Sequence, residues 1–591
     1  MKMVSSAHDG QSSGTGSISH IFFAVVTFLL LTGCDHRSSE LPRRKTLHIA
    51  GFQTAPPSCF NPLSPNADWP VQNNIVLVYE TAFNFNQITG EMEPGLALKF
   101  TRPSGNIITV EMDPAARWSD GTPVGASDLK YTFDLAREYH LEHAGVWNDL
   151  ESVDIETKTT VRFTFKEDHI NPLELFDALA SMHIVPEHIF KPLESELGFE
   201  REKILAHSEP GTDTIVASGP YRIQSVSKQR IVLERRADYW GAQRYSSLPA
   251  PRFIVHDLYP DPARANAALE QGHVDLLRQS FSETQSDWQR INPAGTWYAS
   301  RPFYVPASML CLLINTNRTP FDQLAFRRAI AWAIDYTSIS QEALKGYSNP
   351  ARPSLILPDG FEKQFFPEED DLQNGWSFDP HRARQILIDA GFTYGPDQIL
   401  QTVDGETLGP FYIESPFGRD EWTSTMQAVC ANLRAIGINL YQKLPEQQVW
   451  ARHRDLGDFD LLFYWPRPRP GPSLPYSRFD EMLNSSDLAP VGIKAVKNFG
   501  RYRNDRLNKI LEQLAQDTDI GSQKKWYAEL DNLFREDVPV IPLSYWPWVL
   551  EESNQTYWTN WPDAGNPYAP PQAEMMGAGI RTLFHLKASP P

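Results

Sequence analysis

Aromatic side chains are the main chemical resource of this 591-residue chain: 16 Trp, 21 Tyr and 32 Phe are more than core filling usually demands. Indole and phenol rings offer apolar faces to sugars and other ligands with C–H surfaces, while neighbouring amides take hydroxyl groups. One group crowds the C-terminus, where Trp546, Trp548, Tyr557, Trp558, Trp561 and Tyr568 are interleaved with Asn560, Asn566 and Gln572. Another, Tyr464 and Trp465, runs into the proline-rich stretch Pro466 to Pro472, which holds Arg467 and Arg469 and is followed by no acid before Asp480. A cationic, proline-stiffened loop is a poor partner for an ammonium group.

Devices for covalent chemistry are missing from the sequence. It holds no G-x-x-x-x-G-K-[ST], H-E-x-x-H or C-x-x-C pattern, and its one G-x-S-x-G match, Gly10 to Gly14, precedes the apolar run that starts at Ile21, so no enzyme activity or cofactor is expected. Acids such as Asp113 and Asp120 do not by themselves define a glycosidase pair. His183 and His188, five apart around Pro186, do not share a helix face and are expected to be structural or surface groups rather than metal ligands. Arg327 and Arg328 could clamp a carboxylate, but a solvated helix face or a salt bridge is the expectation for arginine there. The net charge of −19 argues against nucleic acid or an anionic membrane surface as the main partner.

The elements that must position these residues show local signatures. Trp118-Ser119-Asp120-Gly121-Thr122-Pro123 reads as a tight turn, and Leu129, Thr132, Phe133 and Ala136 then fall on one helical face, with Gly125 or Ser127 as the cap. Leu47-His48-Ile49-Ala50 and Val161 to Phe165 read as strands, and a hairpin turns at Lys228 to Arg230. Asp379-Pro380 sets an N-cap and a first-turn proline before the stripe Ala383, Ile386, Leu387 and Ala390, and Gly391 ends that helix. Cys59, Cys311 and Cys430 are an odd set, with buried free thiols as the expectation.

Several stretches, in their shared order from Leu47 to Trp561, resemble the family 5 extracytoplasmic solute-binding proteins, receptors of peptide, nickel and oligosaccharide ABC importers. They are Trp118 to Pro123 with its helix, Ser218-Gly219-Pro220-Tyr221, Ala237-Asp238-Tyr239-Trp240-Gly241, Pro320-Phe321-Asp322 with its helix, Gly457-Asp458-Phe459-Asp460-Leu461, and Val538 to Tyr545. The resemblance implies an α/β, bilobal periplasmic-binding-protein fold of type II (cluster C), with mixed sheets, flanking helices and an extra second-lobe subdomain. It divides the chain into lobe I (46–97, 206–305 and 530–591), the extra lobe II (98–205) and lobe III (306–529), with the ligand cleft between lobes I and III. It also implies a monomer that closes over its ligand and delivers it to membrane permease subunits.

Family members that bind peptides place an aspartate after the segment matching Phe459 to Trp465; none stands here. The C-terminal run Tyr557-Trp558-Thr559-Asn560-Trp561-Pro562-Asp563, with Asn566-Pro567-Tyr568, is similar to the ending of members that receive β-linked or chitin-derived oligosaccharides. Oligosaccharide is therefore the first expectation and oligopeptide the second. Trp465, Tyr464, Arg467, Trp546, Trp548, Trp558, Asn560 and Trp561 are the candidate ligand-binding residues, although the tail equally suits a belt packed on the first lobe. At the other end, the apolar run Ile21 to Leu31 has the length of a signal-peptide core and closes on Leu31-Thr32-Gly33-Cys34, which resembles a bacterial lipobox. That resemblance implies removal of residues 1–33, lipidation of Cys34, a tether over 34–45, and anchorage on the periplasmic side of the inner membrane.

Overall fold

The computed structural model describes residues 41–51, 56, 59–64, 74–207, 214–279, 294–373, 375–466, 471–547, 550–570 and 578–590. Among them Thr46–Gly51 is the centre of a seven-stranded mixed sheet, in the order 294–295, 550–554, 276–279, 46–51, 253–257, 230–235 and 221–226. The central strand runs parallel to both neighbours, with Ile49 opposite His256 on one side and Leu276 on the other. Tyr221–Val226 and Arg230–Arg235 form the expected hairpin. Gly51 closes the central strand at φ +132°, and a Cβ there would lie 1.4 Å from the carbonyl oxygen of Arg278, so only glycine fits.

An antiparallel four-stranded sheet follows, in the order 97–104, 107–112, 160–165 and 150–155. Burial along Thr160–Phe165 alternates, with Val161, Phe163 and Phe165 inside, as expected of a sheet covered on one face. The helix Ala126–Glu138 covers it with Leu129, Thr132, Phe133 and Ala136 buried. Gly125 is the cap, and its N–H donates to the Asp128 carboxylate at 2.9 Å. In the preceding turn, Trp118 N–H donates to Thr122 O at 2.8 Å and Gly121 sits at φ +88°. The Trp118 ring is 1% exposed, so the turn is part of the frame.

A five-stranded sheet has the order 440–443, 411–414, 461–464, 308–314 and 540–546. Its first three strands are parallel to one another, and Ser308–Ile314 is antiparallel to both of its neighbours. Every residue of Ser308–Ile314 and of Val540–Trp546 is buried, the pattern of strands covered on both faces. This corrects the expected boundary at residue 530. Val540–Trp546 pairs with Ser308–Ile314, and Tyr527, Leu530 and Phe534 of the helix before it lie in the same core, so the chain leaves this sheet only after Trp546.

Two large cores result. One gathers the five-stranded sheet and its helices, and the other joins residues of the seven-stranded and four-stranded sheets. The helix Pro172–Ser181 belongs to both: Leu175, Ala178 and Leu179 enter the second core, Leu173 the first, and Phe176 packs against each. Positions 173, 176 and 177 share one face of that helix and 175, 178 and 179 another. No helix among the described residues is long and apolar enough to cross a membrane.

Candidate functional site

Residues 296–307 enter Ser308–Ile314 of the five-stranded sheet from the seven-stranded one, and Val540–Trp546 of the five-stranded sheet is followed in the chain by Leu550–Asn554 of the seven-stranded one. The entering stretch is tied to both of those strands. Ala307 N–H donates to Trp546 O at 2.8 Å, and the Tyr304 hydroxyl donates to the Glu552 carboxylate at 3.0 Å. Tyr304 stacks on Tyr347 with ring centroids 6.1 Å apart and planes 17° apart, and Phe303 meets the same Tyr347 ring at 5.6 Å. Burial raises the Glu552 carboxyl from its ordinary 4.5 to about 7, against the Tyr304 hydrogen bond and with Glu270 adding to the rise.

Beside this junction the strand ends present Trp465 and Trp546, with centroids 6.4 Å apart and planes inclined by 50°. Trp465 is half-buried and Trp546 is 8% exposed. Ser308 Oγ donates to Pro466 O at 3.0 Å, which pins the start of the proline-rich stretch to the first residue of the Ser308–Ile314 strand. Tyr464 stands apart from this pair because side chains alternate along a strand. Its hydroxyl donates to Glu481, its ring meets Phe499 at 5.3 Å, and Arg454 lies 5.4 Å over it, so it is a core residue rather than a ligand platform. Arg467, Trp548 and Cys34 lie outside the described residues.

The C-terminal aromatics gather elsewhere, as a belt. Trp558 is 1% exposed and its Nε1 donates to Thr46 O at 2.9 Å, so its ring is core in this conformation, which corrects its candidacy as a stacking face. Half-buried Trp561 donates from Nε1 to Trp558 O at 3.0 Å. Asn560, at φ +65°, gives Nδ2 to His585 O at 2.7 Å, and its own oxygens accept from Asn566 Nδ2 and the Tyr568 hydroxyl at 3.2 and 2.6 Å. Its amide therefore already holds the belt closed. Ala564 N–H donates to Trp297 O at 3.0 Å, which ties the belt to the crossing region.

The other groups with chemical promise are structural. His183 Nδ1 lies 2.8 Å from Tyr79 O, and His188 Nε2 lies 2.8 Å from Asp120. Among the described residues no three His, Cys, Asp or Glu side chains converge as a metal site. Arg327 corrects the expectation of a solvated helix face: it is 7% exposed, and its guanidinium donates to the carbonyl oxygens of Phe321, Asp322, Asp537 and Val538. Sequence reasoning missed Tyr304, Tyr347 and Glu552, whose types and spacing carry no signal of their own.

Two α/β units joined by paired crossing stretches, with aromatic faces at the junction, define the bilobal periplasmic-binding-protein fold of an extracytoplasmic ligand receptor. The chain belongs to the bacterial extracellular solute-binding proteins, family 5, whose middle-region model matches residues 91–486. It is similar to the periplasmic oligopeptide-binding protein of an oligopeptide ABC transporter from Thermotoga maritima, at 28% identity and TM-score 0.82, covering 93% of this chain and 100% of that one. A structure of that protein with mannohexaose bound aligns at 29% identity and TM-score 0.74, covering 93% and 99%. The nickel-binding periplasmic protein of Escherichia coli is 25% identical over 537 residues, 88% of this chain and 93% of its own length. A probable peptide-binding protein of Agrobacterium fabrum is 21% identical, covering 90% of both chains. The protein is thus a solute-binding receptor of an ABC importer and not an enzyme.

Proposed function

We propose that the cargo is an oligosaccharide, β-linked or chitin-derived, held between lobes I and III by stacking on Trp465 and Trp546 and delivered to the permease from a lipid anchor at Cys34. The observation that carries this reading is the mannohexaose in the Thermotoga maritima relative, at 29% identity over 93% of this chain. Three features support it. Two indoles stand 6.4 Å apart at the crossing, the following loop is cationic, and no acid stands between Asp460 and Asp480 to receive a peptide amino group. Oligopeptide is the competing cargo, favoured by the names of the Thermotoga and Agrobacterium relatives.

In such a receptor, closure is driven by contacts that the ligand makes better in the closed state than in the open one. A ligand at a hundred times its Kd adds about 2.7 kcal/mol to folding stability, so thermal shift screening reports the cargo class. Manno-, cello- and chito-oligosaccharide ladders are expected to raise the melting temperature, and a mixed peptide pool to leave it unchanged. Stabilisation by the pool alone would transfer the assignment to peptide.

A further inference from the structure

The proline-rich stretch after Trp465 has two fixed ends among the described residues. Its start is pinned by Ser308, and its far end is pinned from the other core. Asp177, on the helix Pro172–Ser181, accepts from Ser473 N–H at 2.9 Å and from the Ser473 hydroxyl. Ser477 Oγ lies 2.8 Å from that same hydroxyl. Asp177 is 8% exposed, and Ser473 and Ser477 are each 1% exposed, so the bonds are made away from water. A Cβ at Gly471 would lie 2.8 Å from Asp177 Oδ1, so the backbone approaches the carboxylate as closely as a glycine permits. Downstream the chain is held again, where Tyr476 N–H donates to the Tyr527 hydroxyl at 3.1 Å and Arg478 pairs with Glu362 at 2.7 Å.

Tyr527, Glu362 and the helix bearing Ser477 lie on the side of the five-stranded sheet, whereas Asp177 comes from a helix whose other face packs in the opposite core. A carboxylate accepting two hydrogen bonds out of water is a strong and directional tie. We propose that Asp177 is a positioning residue for the ligand site: by holding Gly471, Ser473 and, through it, Ser477, it fixes residues 471–477 beside the five-stranded sheet that carries Trp465, so the second lobe helps set the geometry of a cleft whose ligand it does not touch. This rests on the placement of the cleft at Trp465 under Proposed function.

The test uses Asp177→Ala, Ser473→Ala, both together, and Asp177→Asn in the full chain. Hydrogen exchange over residues 471–478 without ligand reads the anchor itself, and stopped-flow tryptophan fluorescence with mannohexaose reads its consequence. Loss of a hydrogen bond to a charged group predicts about tenfold faster exchange at Ser473 and about tenfold faster mannohexaose release in Asp177→Ala. The double variant should be no worse than Asp177→Ala, because the two residues form one interaction. Asparagine, whose amide accepts from the Ser473 N–H and donates to its hydroxyl, should restore most of the loss. Unchanged exchange would refute the anchor; faster exchange with unchanged mannohexaose release would refute the positioning role. A wild-type protein that ignores mannohexaose would contradict the cargo assignment alone, and release of the bound peptide from the pool would then serve as the same readout.

Discussion

Replacing Glu552 by glutamine should make the protein more stable at alkaline pH and leave it unchanged at acid pH. The carboxyl is 3% exposed and accepts from the Tyr304 hydroxyl, with burial holding its proton up to about 7. Below the ordinary value of 4.5 both folded and unfolded chains carry the proton, and the group is neutral to stability. Between 4.5 and about 7 the folded chain keeps a proton that the unfolded chain has released, so stability falls as pH rises and levels off above about 7. At about 1.36 kcal/mol per pH unit the loss is about 3 kcal/mol. With an unfolding entropy of about 1.2 kcal/mol/K for a chain of this length, that corresponds to about 2 to 3 °C in melting temperature. Glutamine keeps an acceptor for Tyr304 and carries no charge to bury. Melting followed by circular dichroism at pH 4 and pH 8 should therefore show the variant level with wild type at pH 4 and about 2 to 3 °C above it at pH 8. An offset independent of pH would refute the assignment, since it would mean that packing rather than ionisation sets the difference. Glu80, 5% exposed and likewise raised to about 7 by burial against hydrogen bonds from Tyr239 and Trp240, should leave a residual slope of the same sign.

Three further outcomes separate frame from site. Trp118→Ala should cost about 3–5 kcal/mol in denaturant titration with cargo affinity unchanged, whereas Trp465→Ala should weaken cargo binding by at least about tenfold with a smaller loss of stability. Arg478→Met leaves the Glu362 carboxylate buried alone and should cost about 3–5 kcal/mol, and adding Glu362→Leu should recover part of it, as read by the urea midpoint. Cys34→Ser should abolish labelling by radioactive palmitate; retained labelling would place the lipid elsewhere.

The frame was legible because its signals are local. Asp120-Gly121 meets the need for positive φ in the turn, and Asp379 caps its helix by accepting from Arg382 N–H at 2.9 Å, both within four residues. The site was legible only in part, because in sequence a stacking indole and a core indole are the same residue. Trp465 stays half-buried, whereas Trp558 is covered through a hydrogen bond to Thr46, 512 residues away in the chain. Arg327 was misplaced for the same reason: two of its acceptors, Asp537 and Val538, lie 210 and 211 residues further on. The apolar run Val538 to Tyr545 suits either sheet, and only its pairing with Ser308–Ile314 assigns it.

Isothermal titration of the purified protein with mannohexaose, and in parallel with a mixed peptide pool, tests the cargo most directly. Saturable mannohexaose binding that is weakened in Trp465→Ala, with no heat from the peptides, is the predicted result. Tight peptide binding with no response to mannohexaose or to the cello- and chito-oligosaccharide ladders would contradict it.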